Sequence, residues 1–180
     1  MPLIFVTGIS GSGKSTIWRV LKRRGYEAYD VDEDGLAKWQ HNKTGYIHPK
    51  SSVKPHQRTP EFLETHSWNI PRNEVNELAS KTKDRNVFLL GAIANEDGVI
   101  DLFSKVIVLM LDKQTLADRI KSRTDDGFGK SQHEFDAVMD RYDDVYDKYN
   151  KLGYKTINSN RPINEIVDDI VAIAESGVKV

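Results

Sequence analysis

The chain has 180 residues, 38% of them hydrophobic and 29% charged, enough for one domain that buries its own core. Its 26 basic and 27 acidic residues leave a net charge of −1, which offers no overall attraction for nucleic acid or an anionic membrane. It has no cysteine, no apolar run near the ~18 residues of a membrane span and no basic segment leading into an apolar signal stretch, so a soluble cytoplasmic protein is expected.

The first short apolar run, Leu3 to Val6, reads as a buried strand. Directly after it stands Gly8-Ile9-Ser10-Gly11-Ser12-Gly13-Lys14-Ser15-Thr16, which fits G-x-x-x-x-G-K-[ST] and leads into the helical stretch Ile17 to Arg24. Strand, glycine loop and helix in that order make a nucleoside triphosphate site. The backbone N–H groups must converge on phosphate oxygens, and Gly8, Gly11 and Gly13 let the main chain turn without a Cβ in the way. The helix aims the positive end of its dipole at the anion, Lys14 reaches the β- and γ-phosphates, and the Ser15 hydroxyl is a Mg²⁺ ligand. The loop as a whole, with Ser10, Ser12 and Thr16, is assigned to ATP.

A weaker run, Tyr26 to Val31, gives a second strand and ends in the acid cluster Asp30-Val31-Asp32-Glu33-Asp34-Gly35. Alternate residues at a strand end face the same way, so Asp30 and Asp32 can converge beside the glycine loop, one serving the Mg²⁺ shell and the other taking the proton of an attacking hydroxyl. Spacing alone does not rank Asp30, Asp32 and Asp34. From Leu36 to Pro60 regular periodicity is lost, and the segment carries Lys38, Lys43, Lys50, Lys54 and Arg58 with no acid. A basic cap of this kind suits an anionic acceptor, and residues 36–75 are assigned to acceptor binding. Arg58 and Arg72 are favoured there, because a guanidinium can hold a phosphate or carboxylate with two parallel hydrogen bonds. Trp39, Tyr46 and Trp68 read as packing residues, and the histidines lack metal-ligand spacing.

The third strand, Val87 to Leu90, runs into Gly91-Ala92-Ile93 without an acid, which argues against a motor ATPase. A fourth, Val106 to Leu111, precedes a helix on which Arg119 and Arg123, four apart, share one face. Residues 124–131 hold two glycines and no core pattern, as a mobile lid would, with Lys130 a third cation. At Ser131 the string Ser131-Gln132-His133-Glu134 fits a capping box opening one helix to Leu152, whose aromatic stripe is read as core packing without chemistry. Asn150-Lys151-Leu152-Gly153 puts glycine where a guanine-reading acid would stand. Tyr154 to Ile157 completes five strands alternating with helices, so the fold class is α/β: a three-layer α/β/α single domain over residues 1–180 with a five-stranded parallel sheet, a small lid and an acceptor-binding insertion.

On the glycine loop, the Asp30-x-Asp32 pair and the stretch Asp112, Leu116, Arg119, Ile120, Arg123, the chain resembles the adenylate-kinase-like P-loop kinases, a group that includes nucleoside monophosphate, shikimate and gluconate kinases. The resemblance implies ATP and Mg²⁺ as cofactors. It also implies that the Asp30-x-Asp32 pair serves metal and substrate, and that Arg119 and Arg123 embrace the nucleotide and the transferring phosphate; Asp30 is assigned to the metal, and Asp32, with Asp34 as an alternative, to the acceptor. It makes Arg161 and Pro162, in Asn158-Ser159-Asn160-Arg161-Pro162-Ile163, the adenine-side loop. The Asp-Gly-x-Pro-Arg string of adenylate kinases and the triple glycine of shikimate kinases are both absent, Gly91-Ala92-Ile93-Ala94-Asn95 standing in their place. The expected activity is γ-phosphoryl transfer from Mg·ATP to a nucleotide, nucleoside or small anionic metabolite, with Lys14, Asp32, Arg119 and Arg123 catalytic. An ATP-binding regulator or ATPase, or a kinase of nucleic-acid 5′ ends, is the alternative, and the modest basic segment argues against the last.

Overall fold

Leu3 and Phe5 face one side of the first strand, β1 (Leu3–Thr7), while Ile4 and Val6 face the other, and all four are buried. The computed structural model describes residues 2–49, 52–83, 85–125 and 127–176, so Lys50 of the basic segment and Asp126 of the lid lie outside the described residues. The same alternation recurs in β5 (Val87–Leu90) and β6 (Lys105–Met110). Strands apolar on both faces need cover on both, and α1 (Lys14–Arg23) and α7 (Ile163–Glu175) supply it on one side. On the other side lie α3 (Arg72–Ser80), α4 (Lys113–Ser122), α5 (Gln132–Asp140) and α6 (Tyr142–Lys151).

With β2 (Glu27–Asp30) and β7 (Lys155–Asn158) at the edges, the main sheet runs β2-β5-β1-β6-β7, every neighbouring pair parallel. The five strands expected from the apolar runs are therefore the five of this sheet. β1 lies at its centre, so its carboxyl end opens between the ends of β5 and β6, where open α/β sheets bind ligands.

Two expectations need correction. The segment read as irregular contains β3 (Lys38–His41), which pairs antiparallel with β4 (His66–Asn69) after the short helix α2 (Pro60–Thr65). The partner strand lies 25 or more residues away, beyond the reach of local periodicity. Trp39 and Trp68 pair in register with ring centroids 5.2 Å apart, so packing is their observed role in the hairpin. The long helix from Ser131 is in fact α5 and α6, broken at Arg141. Ser131 sits at the N-cap of α5 but makes no capping side-chain bond, and Glu134 turns inward to Arg58 and the Gly129 N–H.

Gly91 explains the tight junction between β2 and β5. A Cβ there would fall 2.1 Å from Val31 Cγ2, and Val31 is fully buried between Asp30 and Asp32. Forcing a methyl into such a contact costs about 1–3 kcal/mol. Gly91→Ala should lower the chemical denaturation midpoint and displace the turn at 30–34. An unchanged midpoint with an unchanged Asp32 environment by NMR would contradict this packing account.

Candidate functional site

The glycine loop leaves β1 at Thr7 and enters α1 at Lys14, with Gly13 as N-cap at φ +102°. At its start Gly8 passes so close to β6 that a Cβ would meet the Leu109 carbonyl oxygen at 2.7 Å, and its φ of +149° lies where side chains are disfavoured. This approach folds the loop over its own lysine. Lys14 Nζ donates to the carbonyls of Gly8 at 2.8 Å and Ile9 at 2.9 Å, and reaches Ser12 Oγ at 3.4 Å. Burial lowers the ammonium's pKa to about 8, while Asp32, Asp30 and Glu96 pull it upward and Arg123 adds to the lowering. One cation thus feels four charged groups from three parts of the chain. Ser15 is half-buried and Thr16 exposed on the first turn of α1.

Asp30 and Asp32 differ in setting. Asp30, at the end of β2, is 1% exposed, and its Oδ1 accepts the N–H groups of Asp32 at 2.9 Å and Glu33 at 3.2 Å. Asp34 folds back, its Oδ2 accepting the Asp30 N–H at 2.8 Å. Only Asp32 presents its carboxylate away from this turn, open to solvent at its surface yet surrounded by protein on its other sides. That enclosure and the neighbouring Asp30 charge raise its pKa to about 6, against the pull of Lys14 and of the Trp68 indole, whose Nε1 donates to Oδ1 at 2.9 Å.

The arginines separate into two groups. Arg119, in the last turn of α4, donates to the Ser159 carbonyl at 2.8 Å and lies over the loop, a Cβ at Gly13 falling 3.9 Å from its Nη1. Arg123 is the C-cap of that helix with extended backbone, so the two do not share a helical face as their spacing implied. Its Nε pairs with Asp125 at 2.7 Å and its Nη1 donates to the Phe128 carbonyl at 3.0 Å. Lys130 donates to the Arg123 carbonyl at 2.8 Å. The remaining three are engaged elsewhere. Arg72 binds Asp101 and the Gly98 carbonyl, Arg58 pairs with buried Glu134 at 2.8 Å, and Arg161 pairs with Glu165 and Asp169. Pro162 is the N-cap of α7, and its loop is fixed by Asn160, which donates to Asp112 at 2.7 Å.

Two residues at the site were not anticipated. Glu96, 7% exposed, accepts from Tyr149 OH at 2.6 Å, Thr7 Oγ1 at 3.2 Å and Lys148 Nζ at 3.1 Å. Burial and the Glu96 charge together push the Tyr149 phenol upward. The aromatic stripe read as packing thus also carries a polar contact to the root of the loop. An acid six residues beyond the end of β5 was its signal, and only the strand end itself was considered. Trp68 had no such signal, because its contact with Asp32 spans 36 residues. Among the described residues, no group of three histidine, cysteine or acidic side chains could hold a metal ion by itself, and no helix is long and apolar enough to cross a membrane.

Comparison with known proteins agrees with this fold. A shikimate kinase from Acinetobacter baumannii, solved in complex with shikimate, is 18% identical, with a TM-score of 0.61 over 96% of this chain and 92% of that one. A shikimate kinase from Bacteroides thetaiotaomicron gives 18% identity and 0.60 over 98% and 100%, and a gluconokinase from Sinorhizobium meliloti 1021 gives 17% and 0.54 over 96% and 90%. At such identities the shared property is the fold. No curated protein sequence matches. The family described as AAA domain, AAA_18, matches residues 4–140, from the first strand past the lid, and the chain belongs to that family.

Proposed function

We propose that this protein is a phosphotransferase that passes the γ-phosphoryl group of Mg·ATP to the hydroxyl of a small anionic acceptor or nucleotide. The observation that carries this reading is the ring of charge at the loop: Lys14 in its carbonyl cradle, with Asp30, Asp32, Glu96 and Arg123 all acting on it. A triphosphate laid on the loop N–H groups would meet Lys14, Arg119 and Arg123, which stabilise the charge on the transferring group. Asp32 faces the acceptor side. It accepts the hydroxyl proton as the acceptor oxygen attacks phosphorus, the bond to the bridging oxygen breaks, and ADP departs with that oxygen. A base raised to about 6 is ionised at neutral pH and still basic enough to take a proton.

The donor set fits Mg²⁺ bound largely through phosphate oxygens and water, with the Ser15 hydroxyl and the Asp30 carboxylate as the protein's contributions. The ion would neutralise charge on the β- and γ-phosphates. The fold neighbours named for shikimate and gluconate, one of them solved with shikimate, favour a small acceptor over a macromolecule. The hairpin of β3 and β4, whose Trp68 touches Asp32, forms the wall of the acceptor region at 36–75. Arg58 and Arg72 are better assigned to internal pairing than to the acceptor.

Lys14→Ala should fold with a normal circular dichroism spectrum and lose turnover, because among the described residues the ammonium bonds the loop's own carbonyls and hydroxyl and no part of the core. Near wild-type turnover in the purified variant would refute the phosphate assignment. Asp32→Asn keeps the shape and removes the base, which should lower the transfer rate by about 10²- to 10⁴-fold with Mg·ATP affinity retained. Calorimetric titration with Mg·ATP, beside turnover on an acceptor found by screening nucleosides, nucleotides and sugar acids for ATP consumption, separates the two quantities. Normal turnover in Asp32→Asn would remove the general base from the mechanism.

A further inference from the structure

The lid is fastened to two separate parts of the chain. Its Phe128 carbonyl accepts from Ser10 Oγ of the glycine loop at 2.7 Å and from Arg123 Nη1 at 3.0 Å. A Cβ at Gly127 would fall 2.1 Å from Arg123 Nη2, so the guanidinium lies directly on the lid backbone. One residue further on, the Gly129 N–H donates to Glu134 Oε2 at 3.1 Å. The other oxygen of Glu134 lies 2.8 Å from Arg58 Nε, a charge contact rather than an aligned hydrogen bond. The Arg58 guanidinium also sits 6.0 Å from the centre of the Phe128 ring, and its carbonyl meets His133 Nε2 at 2.6 Å.

Glu134 is 1% exposed, and both partners of its carboxylate lie outside the helix whose first turn it occupies. Had Glu134 served the N-terminus of α5 as its spacing implied, it would have stayed at the surface. Its two oxygens instead join the lid backbone to the residue that closes the basic segment.

We propose that Glu134 is a positioning residue for the phosphate clamp: holding the Gly129 N–H with one oxygen and Arg58 with the other, it seats the lid on the glycine loop and fixes Arg123 against it. The proposal rests on the phosphotransfer reading above for the role of Arg123. It makes Arg58 a link between the acceptor region and the lid, so a ligand that shifts residues 55–58 also shifts the clamp. Such linkage between sites is typically worth about 5- to 150-fold in affinity.

Hydrogen exchange of the lid amides 127–130 tests the seating without any acceptor, in the wild type, Glu134→Gln and Arg58→Met. Both variants should exchange about tenfold faster there, within that range of coupling. Acceptor-free ATP hydrolysis, with water as the acceptor, should then be compared in Glu134→Gln, Arg123→Ala and the double variant. Because Glu134 acts through Arg123, the double should lose no more rate than the worse single. Unchanged lid exchange in a folded Glu134→Gln, or additive losses in rate, would overturn the proposal. Should Glu134→Gln fail to fold, Arg58→Met decides by the same exchange measurement. A wild type that takes up no Mg·ATP overturns the phosphotransfer reading and the clamp with it, whereas normal uptake with unchanged lid exchange removes the role of Glu134 alone.

Discussion

Everything at the centre of this protein is arranged around one buried ammonium. Lys14 is 9% exposed, and a lysine in such a place needs carbonyl oxygens close by and acids within reach. The Gly8 and Ile9 carbonyls turn inward to meet it because Gly8 takes a backbone conformation and an approach to Leu109 that a side chain would forbid. The acids come from the ends of two strands on one side of β1: Asp30 ends β2 and Asp32 follows it, and Glu96 follows β5. The sheet order places those ends around the loop, so the electrostatics of the site follow from topology.

The same logic accounts for the supports behind the site. Asp30 accepts two backbone N–H groups with its Oδ1 and so shapes the turn that leaves Asp32 outward. Glu96 ties Thr7 at the root of the loop to Tyr149 and Lys148 of α6. Asn95, beside it, brackets the backbone of Ile70, accepting from its N–H at 3.0 Å and donating to its carbonyl at 2.8 Å. The short segment after β5 therefore touches the loop on one side and the end of the hairpin on the other. A segment that lacks the adenylate kinase string and the triple glycine still performs a joining role, through an amide and a carboxylate.

Lysine also marks the far side of the sheet. Lys105 begins the apolar strand β6 yet is buried, because its ammonium donates to the Ile173, Ala174 and Ser176 carbonyls at the end of α7. The orphan carbonyls of a helix end are satisfied there by a cation, which the helix dipole also favours. The two buried lysines thus do opposite work: one anchors the sheet to a helix terminus, and the other stands at the chemical centre.

The sequence by itself determined what depends on neighbours along the chain. Apolar runs of four to six residues marked all five strands of the main sheet, and the glycine loop named its own strand, turn and helix. Asp30 and Asp32 were legible for the same reason, as alternate residues of one strand end. What the tertiary structure alone decided were contacts between residues far apart in sequence: Trp68 on Asp32, Tyr149 on Glu96, and Arg58 on Glu134. The sequence-level readings failed where a local pattern competed with such a contact. Ser131 and Glu134 have capping-box spacing, but a half-buried arginine and a lid N–H outweighed an exposed cap, and the four-residue spacing of Arg119 and Arg123 lost its meaning once the helix ended at Arg123. Local spacing fixes which side chains can share a face, whereas the partner that satisfies a buried charge is set by what the fold brings beside it.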